Sequence, residues 1–299
     1  MKSCSHLVGA LLAAWCAFVD TTDGHAQQAS ARTTSDGLPP RPPIAGNWRL
    51  TLDETFEGPL NPRIWMDREL WEDAALGASL FESSNIAVRD GKLIITTIRK
   101  PGKNKRGDEF AFSSGLIQSF GKFAQAYGYF EARMAMPEAK GLWPAFWLMP
   151  DRGKGDIARG WLNGRRSTYI QTGENNGFTG KGMEIDIMEH LTIWGPNRFH
   201  AAIHWDGYGK DHKKVEKTFD VPPSPDGWRI FGLHWRPNLL VWFVDNKEVY
   251  RIENERVADV PMYILLNTSV GGWNGNHPDP DTNLPATTAV DWVRVWAED

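Results

Sequence analysis

The segment Tyr127-Gly-Tyr-Phe-Glu-Ala-Arg-Met-Ala-Met136 decides the fold class, because polar and apolar residues alternate in it from Tyr129 to Met134. In an extended chain, the odd positions from Tyr127 to Arg133 point to one side and the even positions from Phe130 to Met136 point to the other. Such a period of two predicts a β-strand with one apolar face against a core.

Turn signals separate many other extended runs. The runs 85–98 and 239–250 each contain two extended stretches joined by a two-residue turn, Asp90-Gly91 and Asp245-Asn246, which predicts two β-hairpins. Further extended runs cover 262–267 and 289–296. No convincing amphipathic helix of ten or more residues is predicted, and about a dozen short strands predict an all-β, antiparallel β-sandwich.

The N-terminal segment predicts a secretory signal peptide over residues 1–26. Lys2 precedes an apolar run over 7–19, and small residues follow it. Both cysteines, Cys4 and Cys16, fall within this segment, so the mature chain would have neither a disulfide nor a cysteine-bound metal. We therefore expect a secreted or periplasmic protein without a membrane attachment after signal cleavage.

Composition places a single domain after a short lead-in. Residues 27–46 are polar and proline-rich, which predicts a flexible segment, and residues 47–299 would form one domain, expected to be monomeric. The chain carries 15 Trp and a formal net charge of −4. Without a basic excess, a nucleic-acid partner is not expected.

The segment Gly182-Met-Glu-Ile-Asp-Ile-Met-Glu-His190 contains three acids within six residues. On a strand, Glu184 and Asp186 share one face and the isoleucines between them point to the core. Strict alternation would turn Glu189 into the core, where an unpaired charge is unfavourable. A one-residue β-bulge near Met188 would return Glu189 to the face of the other two acids, so we predict a bulged strand with three acids on one exposed face.

Crowded carboxylates suit glycosidic cleavage. Like charges disfavour joint ionisation, so at least one acid has a raised pKa. Cleavage with retention needs an ionised carboxylate that attacks the anomeric carbon and a protonated one that donates to the leaving oxygen. A calcium site and a solvated acidic face remain alternatives from this pattern alone.

This acidic segment resembles the bulged six-residue signature of glycoside hydrolase family 16. Other stretches resemble the same family, in the same order: Asp53–Phe56, Asn85 before Asp90–Leu93, Tyr129–Arg133, Trp143–Trp147, Val270–Trp273 and Val290–Val295. The resemblance implies a β-jelly roll with a concave cleft and a retaining mechanism. It makes Glu184 the nucleophile, Glu189 the acid/base, and Asp186 the residue that orients or tunes them.

Aromatic side chains that stack on sugar rings are candidates for substrate binding: Trp143, Trp147, Trp194, Trp205 and Trp273. The resemblance places Trp143 and Trp147 near the cleft and adds Arg133 and Asn85 as polar contacts. His200 and His204 would lie about 13 Å apart on a strand, too far to share a zinc ion. His204 is instead expected to line the cleft and contact the sugar. Catalysis would need no cofactor, and Asp291 would contribute to a structural calcium site of the kind found in relatives.

The substrate is a polysaccharide, and its identity stays open. β-1,3-Glucan is the first expectation, as for the laminarinases of the family. A long loop over 151–182 carries net positive charge, which would suit an anionic galactan of the agarase, porphyranase or carrageenase type. A transglycosylase and a non-catalytic carbohydrate-binding jelly roll are further alternatives.

Overall fold

The computed structural model describes residues 41–68, 75–150, 184–206 and 210–299. The predicted signal peptide, most of the predicted lead-in and the predicted basic loop lie outside these ranges. No helix within them is long and apolar enough to cross a membrane.

Seventeen strands form within the described ranges. They are β1 (Trp48–Glu54), β2 (Ala75–Leu76), β3 (Ser79–Phe81), β4 (Ile86–Arg89), β5 (Lys92–Lys103), β6 (Glu109–Ser114), β7 (Leu116–Gln118), β8 (Gly128–Ala135), β9 (Leu142–Pro150), β10 (Glu184–Glu189), β11 (Arg198–Trp205), β12 (Lys213–Asp220), β13 (Trp228–Arg236), β14 (Leu239–Val244), β15 (Lys247–Glu253), β16 (Met262–Val270) and β17 (Ala286–Glu298).

The strands form two sheets, which confirms the predicted β-sandwich. The smaller sheet has the order β12-β11-β10-β9-β16-β7, and every pairing in it is antiparallel. The larger sheet runs β15-β14-β13-β8-β17-β5-β6-β3-β2, with β1 added on β17 and β4 on β5. Its β3–β6 pair is parallel. The described part of the protein is therefore a β-jelly roll whose strand ladders are antiparallel, apart from the β3–β6 ladder.

The predicted hairpin turns are confirmed in detail. Asp90 and Gly91 have φ angles of 50° and 64°, and Asp245 and Asn246 have φ angles of 49° and 65°. Two consecutive left-handed residues define a type I′ turn, whose twist matches that of the flanking strands. Asn, Asp and Gly tolerate this conformation best, which is why the dipeptides predicted the turns.

Strand β8 confirms the predicted apolar face and adds a second buried face. Phe130, Ala132 and Met134 lie in the main core between the sheets. On the opposite face Tyr129 is fully buried and Glu131 is only 4% exposed. The odd face of β8 is thus covered as well, which alternation alone does not reveal.

Burial at this outer face raises the pKa of Glu131 to about 8, and the nearby charge of Arg294 opposes the rise. The folded state therefore keeps a proton that the unfolded chain loses above about pH 4.5. Between these two values the free energy of unfolding falls as the pH rises, and a pKa change of this size corresponds to about 5 kcal/mol.

We expect Glu131→Gln to remove this pH dependence. The melting temperatures of the variant and the wild type should be similar near pH 5, and the variant should become the more stable protein toward pH 8.5. Glu109→Gln is the matched control, because Glu109 is exposed. Parallel stability curves for wild type and Glu131→Gln across this range would refute the assignment.

Candidate active site

Strand β10 contains the predicted bulge. On the β9 side, Asp186 pairs with Trp147 and Met188 pairs with the next residue along, Phe146, so Ile187 is the extra residue. The register toward β11 shifts in the same interval. Ile187 and Met188 both enter the main core, which explains how an apolar core and a continuous acidic face coexist on one strand.

The bulge brings the three acids to the face opposite the core, as predicted. The acids are much less exposed than predicted, since Asp186 is 2% exposed and Glu189 is 7% exposed. Side chains of the neighbouring strands stand on both sides of the acids: Trp143 contacts Glu189, and His204 contacts Asp186.

Burial and mutual repulsion hold protons on this cluster. Burial raises the pKa of Glu184 well above its ordinary value, and the charges of Asp186 and Glu189 raise it further. Burial, followed by the charge of Asp186, likewise raises the pKa of Glu189. Glu184 and Glu189 therefore both favour the protonated form. A carboxyl that keeps its proton near neutral pH can act as a general acid.

Three of the predicted tryptophans form an aromatic wall beside Glu189. The indole N–H of Trp143 donates to Glu189 Oε1 at 3.0 Å. Trp273 stands perpendicular to Trp143 at 5.1 Å between ring centroids, and Trp194 lies 5.8 Å from Trp273. The imidazole of His200 joins them at 5.5 Å from Trp273. Trp143, Trp194 and Trp273 are partly exposed, so their rings can meet a sugar.

The Trp143 hydrogen bond also acts on the chemistry, because it lowers the pKa of Glu189 against the other influences. We expect Trp143→Phe to raise that pKa further, since the donor is lost and the ring remains. The basic limb of the pH–rate profile should then move to higher pH. Trp147→Phe is the matched control, because its N–H donates to Asn267 Oδ1 instead. An unmoved limb in Trp143→Phe would contradict this role.

Trp147 lies on the cleft side of the small sheet but is packed into its surface. It pairs in register with Asp186 and is 6% exposed. Its ring packs in a second cluster with residues such as Ala145, Tyr263 and Leu265. Trp147 therefore forms the floor next to the acids rather than an open stacking platform.

A polar row on β11 and β12 extends the acidic face toward the sheet edge. Alternate β12 residues face the histidines of β11: Thr218 pairs with His200 and Lys214 pairs with His204. His200 Nδ1 lies 2.9 Å from Thr218 Oγ1, and Glu216 lies 3.2 Å from His200 Nε2 and 2.6 Å from Lys214 Nζ. Sequence reasoning missed this row. The charged residues within 213–220 were visible in the sequence. Their pairing with β11 was not, because it depends on which strands become neighbours.

His204 contacts an acid as well as lining the cleft. Its Nε2 atom lies 3.1 Å from Asp186 Oδ2, and its Nδ1 atom lies 2.7 Å from His212 Nε2. One ligand-type atom from each of Glu184, Asp186 and His204 lies within 4.8 Å of the others, a spacing that a divalent cation could also use. We assign these groups to acid–base chemistry, because Glu184 and Asp186 lie on the bulged strand that also positions Glu189. As predicted, His200 and His204 lie on a strand rather than a helix.

The prediction that Arg133 contacts the substrate is wrong, because Arg133 does not lie in the cleft. It belongs to β8 of the larger sheet and sits on the face away from the core. Its guanidinium donates to Asp291 at 2.9 Å and to Asp226 at 2.8 Å, and it lies over the ring of Trp228. The family motif places the residue in the right strand, but the strand belongs to the other sheet.

The same contacts argue against the expected calcium at Asp291. The guanidinium of Arg133 already occupies the position between Asp291 and Asp226 that a cation would take. No group of three metal-ligating side chains forms around Asp291 in the described ranges. The ion pairs of Asp291 and Asp226 with Arg133 would compete with a calcium ion at this position, and the calcium site stays a prediction.

Asn85 and Trp205 serve the fold. The amide nitrogen of Asn85 donates to Ser113 Oγ and to the Ser114 carbonyl, so its donors are committed to the β6 end. The prediction that Trp205 stacks on the sugar is also wrong, since its side chain lies in the main core, one residue beyond the cleft-facing His204. The aromatic side chains that remain candidates for stacking on the sugar are thus Trp143, Trp194 and Trp273, beside Glu189.

A jelly roll with a bulged acidic strand, bordered by tryptophans on its open face, defines a carbohydrate-active β-sandwich of the glycoside hydrolase class. Residues 51–298 match the family model described as "Beta-porphyranase A-D, GH16 domain". The chain therefore belongs to glycoside hydrolase family 16, and it is an O-glycosyl hydrolase.

Known proteins show the same relationship. A beta-glucanase of Rhodothermus marinus is 29% identical over 278 residues, which covers 85% of this chain and 87% of that protein. A keratan-sulfate endo-1,4-beta-galactosidase of Sphingobacterium multivorum is 27% identical, covering 70% of this chain and 46% of its own length. The X-ray structure of an endo-beta-1,3-glucanase from Pyrococcus furiosus superposes with a TM-score of 0.69 at 26% identity, covering 85% and 96% of the two chains. The chain spans about half the length of several other curated relatives.

Proposed function

We propose that the protein is an endo-acting, retaining hydrolase of a β-linked glucan, with β-1,3-glucan as the first candidate substrate. The observation that carries the proposal is the bulged strand that brings Glu184, Asp186 and Glu189 together on one face. The named glucanases among the relatives support the substrate class. The predicted signal peptide supports a site of action outside the cytoplasm.

In the first step, a carboxylate oxygen of Glu184 attacks the anomeric carbon. The bond from that carbon to the glycosidic oxygen breaks, and Glu189 transfers its proton to the departing oxygen. A covalent glycosyl ester on Glu184 results, and Glu189 is left ionised. The pKa values of both glutamates are raised, so the site retains a proton, and this step needs that proton on Glu189.

In the second step, the ionised Glu189 takes a proton from a water molecule. The resulting hydroxyl attacks the anomeric carbon and releases Glu184, so two displacements leave the configuration unchanged. A sugar hydroxyl in place of water would give transglycosylation through the same residues. Asp186 supplies negative charge between the two glutamates and raises the pKa of both.

A sulfated or otherwise anionic galactan is the second candidate substrate. The matching family model is described by a porphyranase domain, and one relative is a keratan-sulfate galactosidase. Lys214, on the polar row that faces the cleft, is exposed and lies beside Glu216. A cationic side chain at that edge would suit a substrate with anionic substituents.

The substrate is tested with a panel of polysaccharides. The purified protein is incubated separately with laminarin, lichenan, agarose, porphyran and κ-carrageenan, and new reducing ends and product sizes are measured. We expect release of oligosaccharides from laminarin. Release from a galactan alone would replace the glucan with the second candidate. Glu184→Ala protein, purified in the same way, controls for contaminating activity, and silence on all five glycans would contradict both candidates.

A further inference from the structure

His204 and His212 form a connected pair that ends on the central acid of the site. His204 lies opposite Glu184 in the β10–β11 ladder, and its Nε2 atom is 3.1 Å from Asp186 Oδ2. On the other side of the ring, Nδ1 is 2.7 Å from His212 Nε2. Asp186 is almost fully buried, so its carboxylate depends on neighbouring donors.

These contacts favour one tautomer of His204, with the proton on Nε2. Asp186 Oδ2 is buried and accepts no well-aligned hydrogen bond among the described residues. His204 Nε2, at 3.1 Å, is placed to donate to it, and a bare lone pair there would be repelled by an ionised carboxylate, so we infer that Nε2 carries the proton. Nδ1 of a neutral His204 is then an acceptor, and the N–H of His212 Nε2 donates to it. His212 thereby fixes the tautomer and the ring orientation of His204.

We propose that His204 is a positioning residue for Asp186, and that His212 holds His204 in the required tautomer and orientation. This inference rests on the proposed roles of the three acids. The pair keeps the buried Asp186 carboxylate in register between Glu184 and Glu189, so that the nucleophile and the acid keep their spacing. The expectation from the sequence was different, because it made His204 a direct sugar contact.

The two roles predict different kinetics. A positioning residue acts on the chemical step, so His204→Ala should lower kcat by about ten- to a hundredfold and change KM little. His204→Gln should recover most of that loss, because its amide N–H can still donate to Asp186. His212→Ala should lower kcat in the same direction but by less. A direct sugar contact would raise KM in His204→Ala and leave kcat largely unchanged.

The chain offers a matched control in a second histidine–carboxylate pair. His234 Nε2 lies 3.2 Å from Glu298 Oε2 on the larger sheet, away from the acids. His234→Ala removes the same kind of contact, so it should lower stability without changing kcat. If His204→Ala and His212→Ala, like His234→Ala, lower the stability and leave kcat unchanged, the proposal is wrong. His212 is only partly buried, so its variant tests the proposal even if His204→Ala fails to fold.

A spectroscopic measurement tests the pair without any substrate. Long-range ¹H–¹⁵N spectra of the ¹⁵N-labelled protein report the tautomer of each imidazole, and the signals of His204 are those lost in His204→Gln. We expect a proton on Nε2 and an acceptor at Nδ1, with an altered pattern in His212→Ala. A proton on Nδ1 alone would overturn the proposal. Inactivity of the wild type on every glycan, together with the expected tautomer, would instead count against the proposed function.

Discussion

Replacing Glu184 by alanine is expected to lower activity on the polysaccharide substrate by about 10⁴-fold or more, because the attacking carboxylate is lost. The fold should remain intact. Glu184 is an acid whose charged form is disfavoured by burial and by its acidic neighbours, so its removal should leave the melting temperature equal or higher. Circular dichroism and thermal unfolding separate this outcome from misfolding.

Added azide provides the decisive part of this test. Azide can enter the space of the missing carboxylate and attack the anomeric carbon of a glycoside with a good leaving group. The product should be a glycosyl azide of inverted, α configuration. Glu109→Ala is the control, since Glu109 is exposed on β6 and pairs with Lys103 at the surface. Wild-type activity in Glu184→Ala, or no rescue by azide in a folded and inactive variant, would refute the assignment of the nucleophile.

Replacing Glu189 by glutamine is expected to lower activity on the polysaccharide by about 10²- to 10⁴-fold, because the leaving oxygen no longer receives a proton. An aryl glycoside with an acidic phenol needs no such proton, so formation of the glycosyl-enzyme should survive on it. Hydrolysis of the intermediate still lacks its base. Azide, which needs no base, should accelerate turnover and give a product of retained, β configuration.

Glu216→Gln is the matched control for Glu189. Glu216 is a carboxylate on the polar row next to His200 and contributes to the field at Glu189, but the mechanism gives it no proton to transfer. Any decrease in the activity of Glu216→Gln should therefore be the same for substrates with good and poor leaving groups. Equal losses on polysaccharide and aryl glycoside in Glu189→Gln would contradict the role of a general acid.

The sequence was sufficient for the local features that depend on period and turn chemistry. The two type I′ hairpins follow from Asp-Gly and Asp-Asn, which tolerate left-handed backbone. The bulge follows from the unfavourable burial of Glu189 under strict alternation. It lies within one residue of its predicted position, at Ile187.

The sequence was not sufficient for features that depend on which strands become neighbours. Arg133 and Trp143 lie ten residues apart, yet β8 and β9 belong to different sheets, so the first faces Asp291 and the second faces Glu189. The contact of His204 with His212 arises only after β11 and β12 pair. The burial of Asp186 likewise requires side chains from β9 and β11, which no single segment specifies.

The stereochemistry of the first product tests the central claim most directly. The polysaccharide that the protein cleaves in the panel is digested in deuterated buffer, and ¹H NMR follows the anomeric signal of the new reducing end before mutarotation. A nucleophile at Glu184 and an acid/base at Glu189 predict that the β-anomer appears first and the α-anomer later. An α-anomer as the first product would show inversion and would contradict the proposed double displacement.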